Sequence, residues 1–168
     1  KKRRQRITII MHILITRQLD QSKNFSTLLN ELNIKNTIFP VIKIKKIKLN
    51  EEQIENIKNS DLIIFTSQNS VTSLIDNLKI SDLDGKIIAA IGKSTSKLLE
   101  DIGIKVDICP ESDFTSETLF KEIKKKNIKN KKVTIIKGIG GRHFLQDNLS
   151  QDNHVYADCL LYTSDAAD

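Results

Sequence analysis

The stretches IIFTSQNSV (Ile63–Val71), IIAAIGKSTSKLL (Ile87–Leu99) and VTIIKGIGGRHFL (Val133–Leu145) decide the fold. Each opens as an apolar run, breaks into a loop of small or polar residues, and continues with helical spacing. A strand that runs directly into a helix, three times over, is the unit of a parallel sheet. In such a sheet these loops gather along the carboxyl edge, where ligands bind. The loops are rich in Ser, Thr, Asn and Gly and almost free of titratable side chains. Backbone N–H groups and hydroxyls there suit an anionic ligand held by hydrogen bonds rather than by proton-shuttling dyads.

The alternation extends outward in both directions. His12–Thr16 is an apolar run that reads as a strand, and Phe25, Leu28, Leu29 and Leu32 follow on one helical face. Thr37–Ile44 is extended but broken by Pro40, which suits an edge or crossover segment. Ile54 and Ile57 mark a short helix, Asp61–Thr66 a strand, and Val71, Leu74, Ile75 and Leu78 a further helix face. Lys86–Ile91 is a strand. The helix after it carries Leu98, Leu99 and Ile102 and is closed by Gly103. Val106–Cys109 is a short strand ending at Pro110. Thr115 or Ser116 caps a helix with Leu119, Phe120 and Ile123 on its apolar face. Lys124–Lys132 is a solvated basic turn, Lys132–Lys137 a strand, and Phe144, Leu145 and Leu149 belong to a helix after Gly141. His154–Tyr162 is a last extended run.

The 168 residues make one ordinary domain, or one domain and part of another. The formal net charge is +6, yet the first six residues, KKRRQR, carry five of those charges. The body is nearly neutral, so composition gives no argument for nucleic-acid binding. The apolar stretch after KKRRQR contains His12, runs straight into TRQLD and is too short to span a membrane. It reads as a buried strand rather than a signal peptide, with Met11 as the expected native start and residues 1–10 as an extension. Cys109 and Cys159 stand fifty residues apart, and His12, His143 and His154 lack metal-ligand spacing. Neither a disulfide framework nor a zinc site is indicated, which fits a reduced, cytoplasmic compartment.

Five motifs in order resemble the uroporphyrinogen-III synthase family: ILITR (Ile13–Arg17), IFTSQNSV (Ile64–Val71), IGKSTSKLL (Ile91–Leu99), P-x4-TSETL (Pro110 to Leu119) and GIGGRHFL (Gly138–Leu145). Each is weak alone, and the order and spacing make the set specific. The resemblance implies an α/β fold of two flavodoxin-like parallel-sheet domains, the first discontinuous and here incomplete. Residues 11–42 would open domain 1, residues 43–160 would form domain 2, and 161–168 would be a connector remnant and non-native tail. Family members run on well past Tyr162, so roughly the last third would be missing and the activity of this chain impaired.

The implied reaction is cyclisation of hydroxymethylbilane, a linear tetrapyrrole with eight carboxylates, with inversion of its fourth ring. It needs no metal or organic cofactor. The implied partner is that small molecule, with no nucleic acid or membrane, and the complete protein would be a monomer. The resemblance places Tyr162 as the catalytic residue, its phenol hydrogen-bonded to the departing hydroxyl, against an ordinary packed strand tyrosine. It places Arg17, Ser67, Asn69, Gly92, Thr95, Ser116, Gly138, Gly140, Gly141 and Arg142 on the substrate. The competing readings are helix capping by Ser67, Asn69, Ser94 or Thr95, a tight turn for the glycines, and surface arginines. A non-enzymatic flavodoxin-like domain that binds or senses an anion remains the alternative.

Overall fold

The computed structural model describes residues 11–165, by backbone alone at 42 and at 158–165. The expected extension, residues 1–10, and the last three residues of the expected tail lie outside the described residues. The chain divides between Ile44 and Lys45 and again between Tyr162 and Thr163. One unit is therefore built from both ends of the chain and the other from its middle.

In the first unit β1 (His12–Ile15), α1 (Leu19–Glu31) and β2 (Lys35–Ile38) form a βαβ piece, with β1 and β2 parallel from His12↔Lys35 to Ile15↔Ile38. Asn33, at φ 55°, ends α1: its N–H donates to the Asn30 carbonyl at 3.0 Å, and the Ile34 N–H to Leu29 at 2.8 Å. This is the paired closure that a left-handed residue allows. The helical face was legible in the sequence, but only Leu29 of its four members is buried; Phe25, Leu28 and Leu32 are exposed. Among the described residues, one helix beside two strands offers no further layer to cover them. The extended stretch around Pro40 divides in two. Lys35–Ile38 pairs with β1, and a separate strand β3 (Ile42–Lys46) follows, because Pro40 brings no N–H to a ladder.

The second unit holds α2 (Glu51–Lys58), β4 (Leu62–Phe65), α3 (Gln68–Ile75), β5 (Ile87–Ala90), α4 (Lys93–Asp101), α5 (Ser116–Lys125), β6 (Lys132–Gly138), α6 (Phe144–Leu149) and most of β7 (His154–Asp165). The sheet order is β3-β7-β6-β4-β5, with β5, β4, β6 and β7 parallel. This is the parallel-sheet α/β class expected from the alternation. β4 is LIIF, buried at all four residues, as a central strand covered on both faces must be. Leu62, Ile64, Ala89, Val133 and Ile135 pack with Leu119, Ile123, Leu145 and Leu149 of α5 and α6. Phe120 and Phe144 meet edge to face at 6.0 Å and fasten that helix pair. The alternate residues Ile63, Phe65 and Ile136 belong to the opposite face, where α3 packs on β4 and β6.

The caps follow the sequence closely, with one correction and one loss. Gly103 takes φ +86° after α4, its N–H on the Glu100 carbonyl and that of Ile104 on Leu99, both at 2.9 Å. Thr115 caps α5 by accepting the Thr118 N–H at 3.2 Å. The N-cap of α4, by contrast, is Gly92 and not Ser94 or Thr95, because the helix begins at Lys93. The expected strand Val106–Cys109 shrinks to one bridge, Ala89↔Ile108. The Asp107 carboxylate accepts the Ile88 N–H at 3.0 Å and so replaces the rung that Val106 would make.

Candidate functional site

β4 leads through α3 to β5 on one side of the sheet, while β6 leads through α6 to β7 on the other. β4 and β6 are neighbours, so the chain reverses its winding between them, and a crevice opens beyond their carboxyl ends. A cavity of about 240 Å³ lies there. Thr66, Ser116, Lys137, Gly138, Gly141 and Arg142 supply its polar wall, and Ile91, Ile135, Ile139 and Leu145 its apolar wall. Thr66 fastens the crevice at its base: its hydroxyl donates to the Ile136 carbonyl at 2.9 Å.

Of the residues singled out in the sequence, the cavity brings together Ser116, Gly138, Gly141 and Arg142. Gly140 holds φ +75° in the turn between them, and the Gly141 N–H closes that turn on the Gly138 carbonyl at 3.1 Å. The other loop residues stand along the same edge without lining the cavity. Ser67 caps α3 in a reciprocal pair with Ser70, each hydroxyl accepting the other residue's N–H at 3.2 Å. Asn69 is half-buried in the first turn of α3. Gln68 ties this loop to the next by donating to the Ser94 carbonyl at 3.1 Å. Gly92 packs under Phe114, where an added Cβ would meet that side chain at an ordinary 3.5 Å.

Thr95 is buried, and its hydroxyl has no hydrogen-bond partner among the described residues. Arg17 belongs to the first unit and is exposed; its carbonyl accepts the Ser22 hydroxyl at 2.9 Å. Tyr162 falls in β7, just past the residue that pairs with Gly138. Its side chain lies outside the described residues. A bulge sits immediately before it: β6 steps from Lys137 to Gly138 while β7 steps from Cys159 to Leu161. Bulges of this kind re-aim the residues that follow, and they recur beside functional sites.

Arg142 is committed within the chain. Its guanidinium pairs with the Glu117 carboxylate on α5 and lies over the Phe144 ring. Arg142 in turn holds the Glu117 carboxyl below its ordinary range. Burial pushes the Cys109 thiol up, which leaves less thiolate. Among the described residues no three His, Cys, Asp or Glu side chains come together to hold a metal ion. No described helix is long and apolar enough to cross a membrane.

Sequence reasoning missed Lys137. It ends the apolar strand VTIIK on the same face as Val133 and Ile135, and it is 6% exposed. Its Nζ reaches the Gly141 carbonyl and His143 Nδ1, both at 3.4 Å. The available signal was a lysine continuing a core row in the i, i+2 register, directly before a glycine turn.

Fold and site together define a doubly wound α/β protein with a cavity at its switch point, furnished with hydroxyl, amide and lysine donors. The chain belongs to the uroporphyrinogen-III synthase family: the family model described as uroporphyrinogen-III synthase HemD matches residues 23–168. It is 32% identical over 146 residues to a putative uroporphyrinogen-III synthase of Methanocaldococcus jannaschii, covering 84% of this chain and 59% of the relative. It is 27% identical to the uroporphyrinogen-III synthase of Proteus mirabilis over 90% of this chain and 79% of that protein. The crystal structure of a mutant uroporphyrinogen III synthase from the extremely thermophilic bacterium Thermus thermophilus superposes with a TM-score of 0.64 at 15% identity, over 92% of this chain and 63% of that one. The synthetase of Helicobacter pylori 26695 gives 0.59 at 16% identity, over 93% and 62%. These two share the fold. The family resemblance carried by the five motifs is thus borne out. The chain spans about three fifths of the archaeal relative's length, 59%.

Proposed function

We propose that, at the full length of its relatives, this protein converts hydroxymethylbilane to uroporphyrinogen III in tetrapyrrole biosynthesis. The family match over 23–168 is the observation that carries this reading. Hydroxide leaves the hydroxymethyl group and the resulting azafulvene is electrophilic. The fourth ring is attacked at its substituted carbon, passes through a spiro intermediate and is released inverted, with water as the other product. The intermediate is reactive, so the protein's task is to fold the chain of rings and to stabilise the departing hydroxide. Positioning and preorganised hydrogen bonds provide that. The carboxyl-edge loops suit this role: hydroxyls and amides of Ser67, Asn69, Gly92, Thr95 and Ser116, with the turn Gly138, Gly140, Gly141, take substrate carboxylates. Arg17 and Arg142 add positive charge, the latter on exchanging Glu117 for substrate. Tyr162 donates to the leaving hydroxyl. The protein works as a monomer in the cytoplasm, with the two units as its domains.

Isomer analysis tests this. Hydroxymethylbilane closes spontaneously to the type I isomer. At the full length of its relatives the protein is expected to yield type III, separable after oxidation to the porphyrin. Type I alone would contradict the proposal and favour a non-enzymatic anion-binding domain.

A further inference from the structure

We propose that Lys137 is the anchor of a carboxylate subsite inside the switch-point cavity, holding one carboxylated arm of the ligand. The ligand's identity rests on the function proposed above; the subsite itself stands on geometry.

A lysine head taken out of water needs an opposite charge or a full set of close acceptors. Lys137 has neither among the described residues. Its two nearest polar neighbours both stand at 3.4 Å, beyond the usual hydrogen-bond range; one is the Gly141 carbonyl, and the other, His143 Nδ1, can accept only in the tautomer that gives up its 3.3 Å contact with Gln146 Oε1. No carboxylate of the described residues lies within ion-pair distance, whereas Lys46, Lys58, Lys124, Lys125 and Lys131 each have one. Lys86 shows a lysine satisfied by carbonyls alone: it donates to the Lys58 and Ser60 carbonyls at 2.5 and 3.0 Å. Lys137 is buried more deeply than any of these and bonded less well.

The surroundings complete the case. The other cation on the cavity wall, Arg142, is occupied by Glu117, so Lys137 is the wall's cation without a carboxylate among the described residues. Gly138 and Gly141 present no side chain beside it, and an added Cβ at Gly141 would already stand 3.1 Å from the Gly138 carbonyl. Backbone can therefore come close to a bound group. Ile91, Ile135, Ile139 and Leu145 supply the apolar part of the wall, which strengthens a charge pair formed against it. A volume of about 240 Å³ is small for a whole multi-ring ligand and suits a single arm.

The test is a propionate titration of the 15N-labelled 168-residue chain, against sodium chloride at equal ionic strength. Saturable shifts are expected at the amides of Gly138, Gly141 and Arg142. Lys137→Met keeps the volume and removes the charge, and it is expected to weaken propionate binding roughly tenfold or more. Lys137→Arg is expected to retain it within about threefold. Absence of saturable shifts in the wild type, or equal affinity in the folded Met variant, overturns the subsite. Should the Met variant fail to fold, the wild type and the Arg variant decide: loss of propionate shifts in a folded Arg variant overturns it as well. The isomer assay separates the two claims. Type I product with an intact propionate site defeats the enzyme reading alone. Type III product with unchanged kcat and KM in Lys137→Met defeats the assignment of this subsite to substrate.

Discussion

Replacing Thr95 by Val should make the protein more stable and less able to bind its ligand. Thr95 is the third residue of α4 and 4% exposed. Its backbone N–H donates to the Gly92 carbonyl at 3.0 Å, but its hydroxyl finds no partner among the described residues. A buried hydroxyl left unpaired costs about 1–3 kcal/mol of lost solvation. Valine has the same β-branched shape and is likewise restricted at χ1, so the exchange relieves that cost without opening a cavity. We expect a gain of about 1 kcal/mol in urea unfolding, equivalent to roughly 4 °C in Tm for a unit of this size. If the hydroxyl is spare because it serves the substrate, the same variant should bind uroporphyrin roughly tenfold more weakly. Thr95→Ser should do the reverse: it keeps the hydroxyl, and with it binding, but loses a buried methyl worth about 0.8 kcal/mol. A Val variant destabilised by about 1 kcal/mol would show that the hydroxyl is already satisfied. Unchanged binding in that variant would remove Thr95 from the site.

If Tyr162 donates to the leaving hydroxyl as proposed, Tyr162→Phe at the full length of the relatives should lower turnover roughly ten- to a thousandfold with ligand affinity nearly intact, because a hydrogen bond made chiefly in the transition state would be lost; wild-type turnover would end that proposal. Gly103→Ala should cost about 1 kcal/mol in urea unfolding, because Gly103 sits at φ +86° at the end of α4. Asp61 accepts the Lys132 N–H at 2.9 Å and the Lys131 ammonium at 3.2 Å, and the first of these chiefly holds its carboxyl below the ordinary value. A depressed carboxyl stabilises the fold above its unfolded pKa, about 3.9, and that contribution is lost as pH falls through the folded value. Asp61→Asn should therefore lower stability at pH 7 by about 1 kcal/mol, discounted for its exposure, and the difference should vanish as pH falls through the folded value; a difference that persists in strong acid would point to another cause.

The sequence was most legible where one local rule acts alone. Asp61–Thr66 reads as a strand and holds β4, and Gly103 and Thr115 end and begin helices where their chemistry requires. It was less legible where two groups compete for the same backbone. The Val106–Cys109 strand was lost to a side chain, since the Asp107 carboxylate took the rung. The competing reading of Ser94 or Thr95 as a cap fails: both are good caps in isolation, but the helix begins behind Gly92. The site divided in the same way. Glycines and hydroxyls of the loops announced themselves as a class, and Ser116, Gly138 and Gly141 among them meet at one cavity. Lys137 did not, because its meaning comes from three-dimensional burial at a switch point that only the strand order defines. The commitment of Arg142 to Glu117 was equally invisible, as it joins residues 25 positions apart.

The decisive measurement is a crystal structure of the protein, at the length of its relatives, with uroporphyrinogen III bound. The tetrapyrrole is expected against the carboxyl edge of the second unit's sheet. Its carboxylates should lie within hydrogen-bond distance of groups in 66–69, 92–95 and 137–142, with one arm inside the cavity beside Lys137. Binding at the opposite edge, or on a surface that leaves these three loops untouched, would contradict it.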